Sequence, residues 1–232
     1  MKRIVLSCVV LIMFGGLAAA MQTMGEQIQK KAAAAKEAAA RNQQALKAYS
    51  WIAKTDLSLK GEVKNTKIES CRYGPDGNVQ KTLITDPPEQ KKKRGLRGKV
   101  AAKKKAEMKE ELEASAALVQ SYVPPTAEKL QAVITAGKVS ASQAGPGTVA
   151  LRFPDYNKSG DSLTLLFDSE VKDLRKISVE TWLEEKEDVV TLEVNFQSLP
   201  DGTNYAAATV LQIPDDKIEV RIENSNYQKV AQ

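Results

Sequence analysis

FQSLPDGTNYAAATVLQIP, residues 196–214, reads as a turn with a strand on either side. Outward from Asp201-Gly202, apolar residues recur at nearly every second position: Val190, Leu192, Val194 and Phe196 before it, then Tyr205, Ala207, Leu211 and Ile213. Thr191, Glu193, Asn195, Ala206, Ala208 and Gln212 sit between them. Successive side chains of a strand point to opposite faces, so one face of this hairpin is oily and the other polar or small. Water must be kept off the oily face, either by the protein's own core or by an apolar guest.

The same alternation runs through the whole carboxy-terminal half. Strands are expected at about 138–143, 148–153, 161–167, 174–184, 188–197, 204–213 and 217–224. Their joins are short and rich in Gly, Pro, Asn and Asp, which implies antiparallel neighbours. Val149, Leu151 and Phe153, then Leu163, Leu165 and Phe167, Ile177, Val179 and Leu183, and Ile218, Val220 and Ile222 extend the oily face. Residues 50–84 add three strands, at about 50–63, 66–73 and 78–84, with Gly74-Pro75-Asp76-Gly77 as a hairpin turn. About ten strands with one apolar face are too many to stay flat, so the sheet should curl.

Helical patterns flank and interrupt these strands. Residues 24–48, including KKAAAAKEAAAR, are built from strong helix formers with a thin stripe of Met24, Ile28, Ala35, Ala39 and Leu46. Residues 86–105 read as a basic linker, with nine Lys and Arg and no acid across 91–105. Helices follow over 106–136: Met108, Leu112, Ser115, Val119 and Tyr122 are spaced four, three, four, three. Pro124-Pro125 interrupts them, and Thr126 is placed to cap a second helix carrying Leu130, Val133 and Ile134.

The amino terminus carries an export pattern. Lys2-Arg3 is followed by an apolar run from Ile4 to Phe14 and by Ala18-Ala19-Ala20, so cleavage near Ala20 and a periplasmic or secreted chain are expected. Residues 21–232 then form one α+β domain with a single cysteine, Cys71, which cannot make an internal disulfide. Charge is unevenly spread. Residues 21–110 hold 21 Lys and Arg against 10 Asp and Glu, and residues 161–232 hold 7 against 15.

Composition removes several chemistries. Histidine is absent, and with it the commonest general base and metal ligand. Cys71 therefore lacks the usual partner of a nucleophilic thiol and reads as a half-buried strand residue. DYNKSGD (155–161) places Asp155, Asn157, Ser159 and Gly160 like the start of a calcium loop, but Leu166 stands where the bidentate glutamate belongs, so a polar turn is the reading preferred. No catalytic residue, metal or cofactor is expected, and the chain is not expected to be an enzyme. The basic run has no interleaved aromatic residue to stack on bases, so nucleic acid is not an expected partner. Lys91, Lys92, Lys93, Arg94 and Arg97 are instead candidates for contact with an anionic membrane surface.

YSWIAKTDLSLKGEV, DSLTLLFDSEVKDLRKISVETWL and VVTLEVNFQSLPDGTNYAAATVLQIP carry a resemblance of order and pattern. The chain resembles the periplasmic lipoprotein-sorting carriers, the LolA/LolB-like half-barrels, across most of residues 25–228. The resemblance implies a large curved antiparallel sheet, a half-barrel, with a long amino-terminal helix and a helical insertion covering its concave apolar face. It also implies transport of a lipid or acylated-protein ligand. Trp51, Leu57, Leu165, Phe167, Val179, Leu192, Val194 and Leu211 are the candidate lining residues of such a cavity. For any single one of them ordinary core is the reading preferred, and an envelope scaffold or partner-binding domain with a fully packed core is the alternative function.

Overall fold

The computed structural model describes residues 37, 40–85, 96–168, 170 and 173–230, and of residues 96–102 the backbone alone. The chain divides into a unit 1–44, whose described residues 37 and 40–44 are helical, and a unit 45–232 that contains the sheet. Most of the helix expected over 24–48 lies outside the described residues; residues 40–46 are helical.

Ten strands form one open antiparallel sheet: β1 (Tyr49–Leu59), β2 (Glu62–Tyr73), β3 (Val79–Leu83), β4 (Ser140–Gly145), β5 (Thr148–Pro154), β6 (Ser162–Asp168), β7 (Leu174–Trp182), β8 (Val189–Ser198), β9 (Asn204–Ile213) and β10 (Ile218–Lys229). Two helices, α1 (Leu96–Gln120) and α2 (Ala127–Thr135), lie between β3 and β4 in sequence. The spatial order is β3-β2-β1-β10-β9-β8-β7-β6-β5-β4. Every neighbouring pair is a hairpin except β1 with β10, and the helical segment joins the two edge strands. Among the described residues no helix is long and apolar enough to cross a membrane.

Three local features differ from the sequence expectation. The strand expected over 50–63 is two strands, because Lys60 (φ 55°) and Gly61 (φ 79°) both take the left-handed region and turn the chain. Two residues of positive φ make the tight hairpin whose twist matches its strands. The basic linker ends early: α1 begins at Leu96, not near 106. Lys, Arg and Ala are strong helix formers, so a run of them continues a helix as well as it makes a loop. In the opening hairpin, a register shift between Asn195 and Phe196 sets Phe196 opposite Ala206, and Ala206 takes the packing place expected of Ala207.

The core lies on the face that alternation selects. Phe153, Leu163, Leu165, Ile177, Val179, Val190, Leu192, Val194 and Leu211 from β5–β9 pack with Val119 next to the end of α1, Tyr122 just beyond it, and Val133 of α2. The opposite face carries ion pairs typical of a solvated surface, such as Lys176–Glu193 (2.6 Å) and Arg152–Glu180 (3.4 Å). Val210 (8% exposed) and Ser162 (2%) are buried among them.

Candidate functional site

Antiparallel register places side chains of one face directly opposite each other, strand after strand. Phe153, Leu163, Val179, Leu192, Leu211, Val220 and Leu57 form one such row, crossing β5, β6, β7, β8, β9, β10 and β1. Its first five members are 0–8% exposed; Val220 and Leu57 are half-buried, and Asn65 on β2, opposite Leu57, is exposed. A parallel row behaves alike. Leu165, Ile177 and Val194 are buried, whereas Thr209, Ile222 and Thr55 beyond them are half-buried. The apolar face thus continues past the helix-packed core as a strip on β9, β10 and β1, two strand spacings or about 10 Å across.

Beyond the strip the face is buried again. Trp51, Ala53 and Cys71 form a second cluster, with Tyr73 and Tyr227 packed against it. Trp51 and Tyr227 stack with centroids 5.5 Å apart, and Tyr205 lies 4.3 Å from Tyr227. Tyr49 donates a hydrogen bond to Asp201 of the β8–β9 turn (2.5 Å), which also meets Lys229 at 3.3 Å. That phenol and the backbone and side chain of Thr203 hold the Asp201 carboxyl well below the usual carboxylate range. Burial pushes the Cys71 thiol up, away from the nucleophilic thiolate form.

The eight candidate lining residues share this face but fall in different surroundings. Leu165, Val179, Leu192, Val194 and Leu211 are buried in the core beneath the helices, and Phe167 packs at its margin. Leu57 lies in the half-buried strip, and Trp51 in the aromatic cluster. An open depression of about 430 Å³ lies elsewhere, near the β1–β2 and β9–β10 turns. Ser58, Gln212 and Glu219 of the polar face help line it, so it is not the apolar cavity expected. Of the five membrane-contact candidates, Lys91, Lys92, Lys93 and Arg94 lie outside the described residues, and Arg97 falls in the first turn of α1.

A polar anchor fixes the helices over the core. The fully buried Tyr122 donates to the Asp161 carboxylate (2.5 Å) and lies 2.8 Å from the Thr181 hydroxyl. Asp161 also accepts the backbone N–H groups of Tyr156 (2.7 Å), Asn157 (3.1 Å) and Lys158 (2.8 Å). Burial, and then Asp161, push the Tyr122 phenol far above its ordinary range. From the same loop, the Asn157 amide donates to the Ser121 hydroxyl (2.8 Å), and Tyr156 accepts the N–H of Thr126, the residue capping α2. Asp155 accepts the Gly160 N–H (2.6 Å) and pairs with Lys138 (2.6 Å). Asp155, one of the residues that suggested a calcium loop, thus holds a turn, and Asn157 with Tyr156 braces the α1–α2 corner. Among the described residues no cluster of three or more His, Cys, Asp or Glu is arranged to hold a metal.

Two features of α1 bear on how firmly it covers the sheet. Glu111 is pushed up to about 7, first by burial and then by Asp216 and Asp188, which belong to the β9–β10 and β7–β8 turns. Ser115 is completely buried, and its hydroxyl has no hydrogen-bond partner among the described residues. Its small side chain permits close approach of the helix, at the cost of a stranded polar group.

No protein-family model and no curated protein matches the chain. Among solved structures it is similar to a DUF1329 family protein from Desulfovibrio piger, with 11% sequence identity and a TM-score of 0.37. That match covers 82% of this chain and 90% of the other.

Proposed function

We propose that this chain is an exported, non-enzymatic carrier or binding protein for an amphiphile, such as a lipid, a fatty acid or the acyl chain of a lipoprotein. The observation that carries the reading is the apolar face that leaves the core, with Val220 half-buried at the core margin and Ile222 and Leu57 half-buried before the second cluster. Half-buried aliphatic side chains flanked by Thr55 and Thr209 suit a flexible hydrocarbon chain, which asks for apolar area and few directed hydrogen bonds. Each buried methylene contributes about 0.8 kcal/mol, so an acyl chain of ordinary length has enough driving force to offset its ordering. Curvature of the sheet about this strip would form the wall of the site, and displacement of α1 would widen it.

The test is native mass spectrometry of the exported chain purified without detergent, followed by solvent extraction and titration with a fluorescent fatty acid. A stoichiometric lipid, or saturable uptake that Leu57→Asp abolishes, is the expected result. A bare mass with no uptake would reject the carrier reading. A second reading, a partner-binding envelope scaffold, is favoured by one observation. Edge strand β3 and its next residue present Val79, Leu83 and Ile84 at 39%, 43% and 57% exposure. A discrete complex that Leu83→Lys dissolves, formed by a chain with no lipid uptake, would select it.

A further inference from the structure

The cationic run does not end in a loop. Its second half forms the first turns of a 25-residue helix whose other end is packed into the core. Residues 96–105 of α1 carry Arg97, Lys99, Lys103, Lys104 and Lys105 and no acid, whereas residues 106–120 carry one lysine and four glutamates. No acidic residue occupies the first turn. The positive end of the helix dipole therefore meets Arg97 and Lys99, the reverse of the favourable arrangement. Lys99 and Lys103, and again Lys105 and Lys109, are like charges four residues apart, which also works against the helix. The pairs Lys103–Glu107 (3.7 Å) and Lys109–Glu113 (3.4 Å) join highly exposed side chains and return little stability.

The packing seam shows where this end stops belonging to the core. Met108, Leu112, Ser115 and Val119 are buried or half-buried along one line of α1. The same spacing continued back from Met108 reaches Lys105 and then Ala101, and Lys103, Lys104 and Lys105 are all exposed. The helix thus runs on past its packed seam, and Lys103, Lys104 and Lys105 concentrate positive charge on exposed positions there. An anionic surface outside the molecule would offset this charge.

We propose that the amino-terminal part of α1 is a docking surface for an anionic lipid bilayer. A bilayer offers a plane of phosphate charge that meets lysines around the helix without fixed geometry. The helix has no Phe, Tyr or Trp with which to stack on nucleic-acid bases. This inference stands apart from the amphiphile reading, because a surface-docked scaffold would use the helix in the same way.

The experiment is vesicle co-sedimentation of the exported chain with phosphatidylcholine vesicles, with and without phosphatidylglycerol, over a salt series. Binding is expected only with the anionic lipid, and added salt should weaken it. The K103Q/K104Q/K105Q variant keeps good helix formers and is expected to bind about 100-fold more weakly. A K60Q/K64Q/K81Q variant removes the same charge from exposed positions on the β1–β2 turn, β2 and β3 and should bind like the parent. Circular dichroism verifies that both variants are folded. If a variant does not fold, the salt and lipid dependence of the parent chain still decides. Equal loss in the two variants, binding indifferent to phosphatidylglycerol or salt, or equal affinity for soluble polyphosphate would each overturn the proposal.

Discussion

The sheet has two halves built from the same alternating pattern and finished differently. From β5 to β9 the centre of the apolar face packs with residues of α1 and α2 and is buried, with half-buried Leu151, Phe167 and Phe196 at its margin. From β10 to β3 the same face passes through half-buried Val220 and Leu57, regains cover at Trp51 and Cys71, and ends on the exposed Val79 and Leu83. Alternation therefore sets which face is apolar, but the elements laid on that face decide whether it becomes core or surface. Burial falls and recovers along one continuous face of alternating side chains.

Substitutions along the row sharpen this contrast most. Leu163→Ala, in the fully buried part, should cost about 2–5 kcal/mol in chemical denaturation. Leu57→Ala, in the half-buried part, should cost about 1 kcal/mol or less and act mainly on fatty-acid uptake. Equal costs at the two positions would erase the distinction between the halves. Next in size, Tyr122→Phe leaves Asp161 and Thr181 without the phenol and should cost about 1–3 kcal/mol. Hydrogen exchange should show the loss concentrated in α1, α2 and the 155–161 loop, with β1 and β10 protected as before.

A smaller, pH-dependent difference should come from Glu111. Its pKa in the folded chain is raised from 4.5 to about 7, so the folded state holds a proton that the unfolded state releases. Stability from this group is fully present below about pH 4.5 and is lost as pH rises through about 7. Glu111→Gln should therefore melt higher than the parent at pH 8 and close to it at pH 4, in paired thermal scans. A constant difference across that range would remove Glu111 as the cause. The smallest effect belongs to Ser115→Ala, which relieves the stranded hydroxyl and should be neutral or slightly stabilising by calorimetry.

Local signals carried the strands well, because a period of two is strong wherever one face is buried. Ile177, Val179, Leu192, Val194 and Leu211 could be assigned to one face from spacing alone, and the structure groups them. The turn at Lys60-Gly61 is masked in the sequence despite its glycine, because apolar residues on both sides, Leu59 and Val63, preserve the alternation through it. The start of α1 was hidden by charge, which reads as solvated linker even in a sequence of good helix formers. Tyr122 and Asp161 are 39 positions apart, and Glu111 is over a hundred residues from Asp216; no local pattern announces either contact. The half-buried strip was out of reach for the same reason. Leu57 and Val220 look alike in sequence to their buried counterparts, and the difference lies in tertiary cover, which no local pattern states.

The pairing of β1 with β10 bears on how the protein comes to exist at all. Residues 49–59 can find their neighbours on that side only when residues 218–229 are present, so the middle of the sheet closes last in any synthesis or passage that starts from the amino terminus. Contacts between such distant parts of the chain carry a large loop-closure cost and slow the search for the native arrangement. The β1–β2–β3 and β4–β9 hairpins can pair locally, but the seam that joins them into one sheet must wait for the last strand.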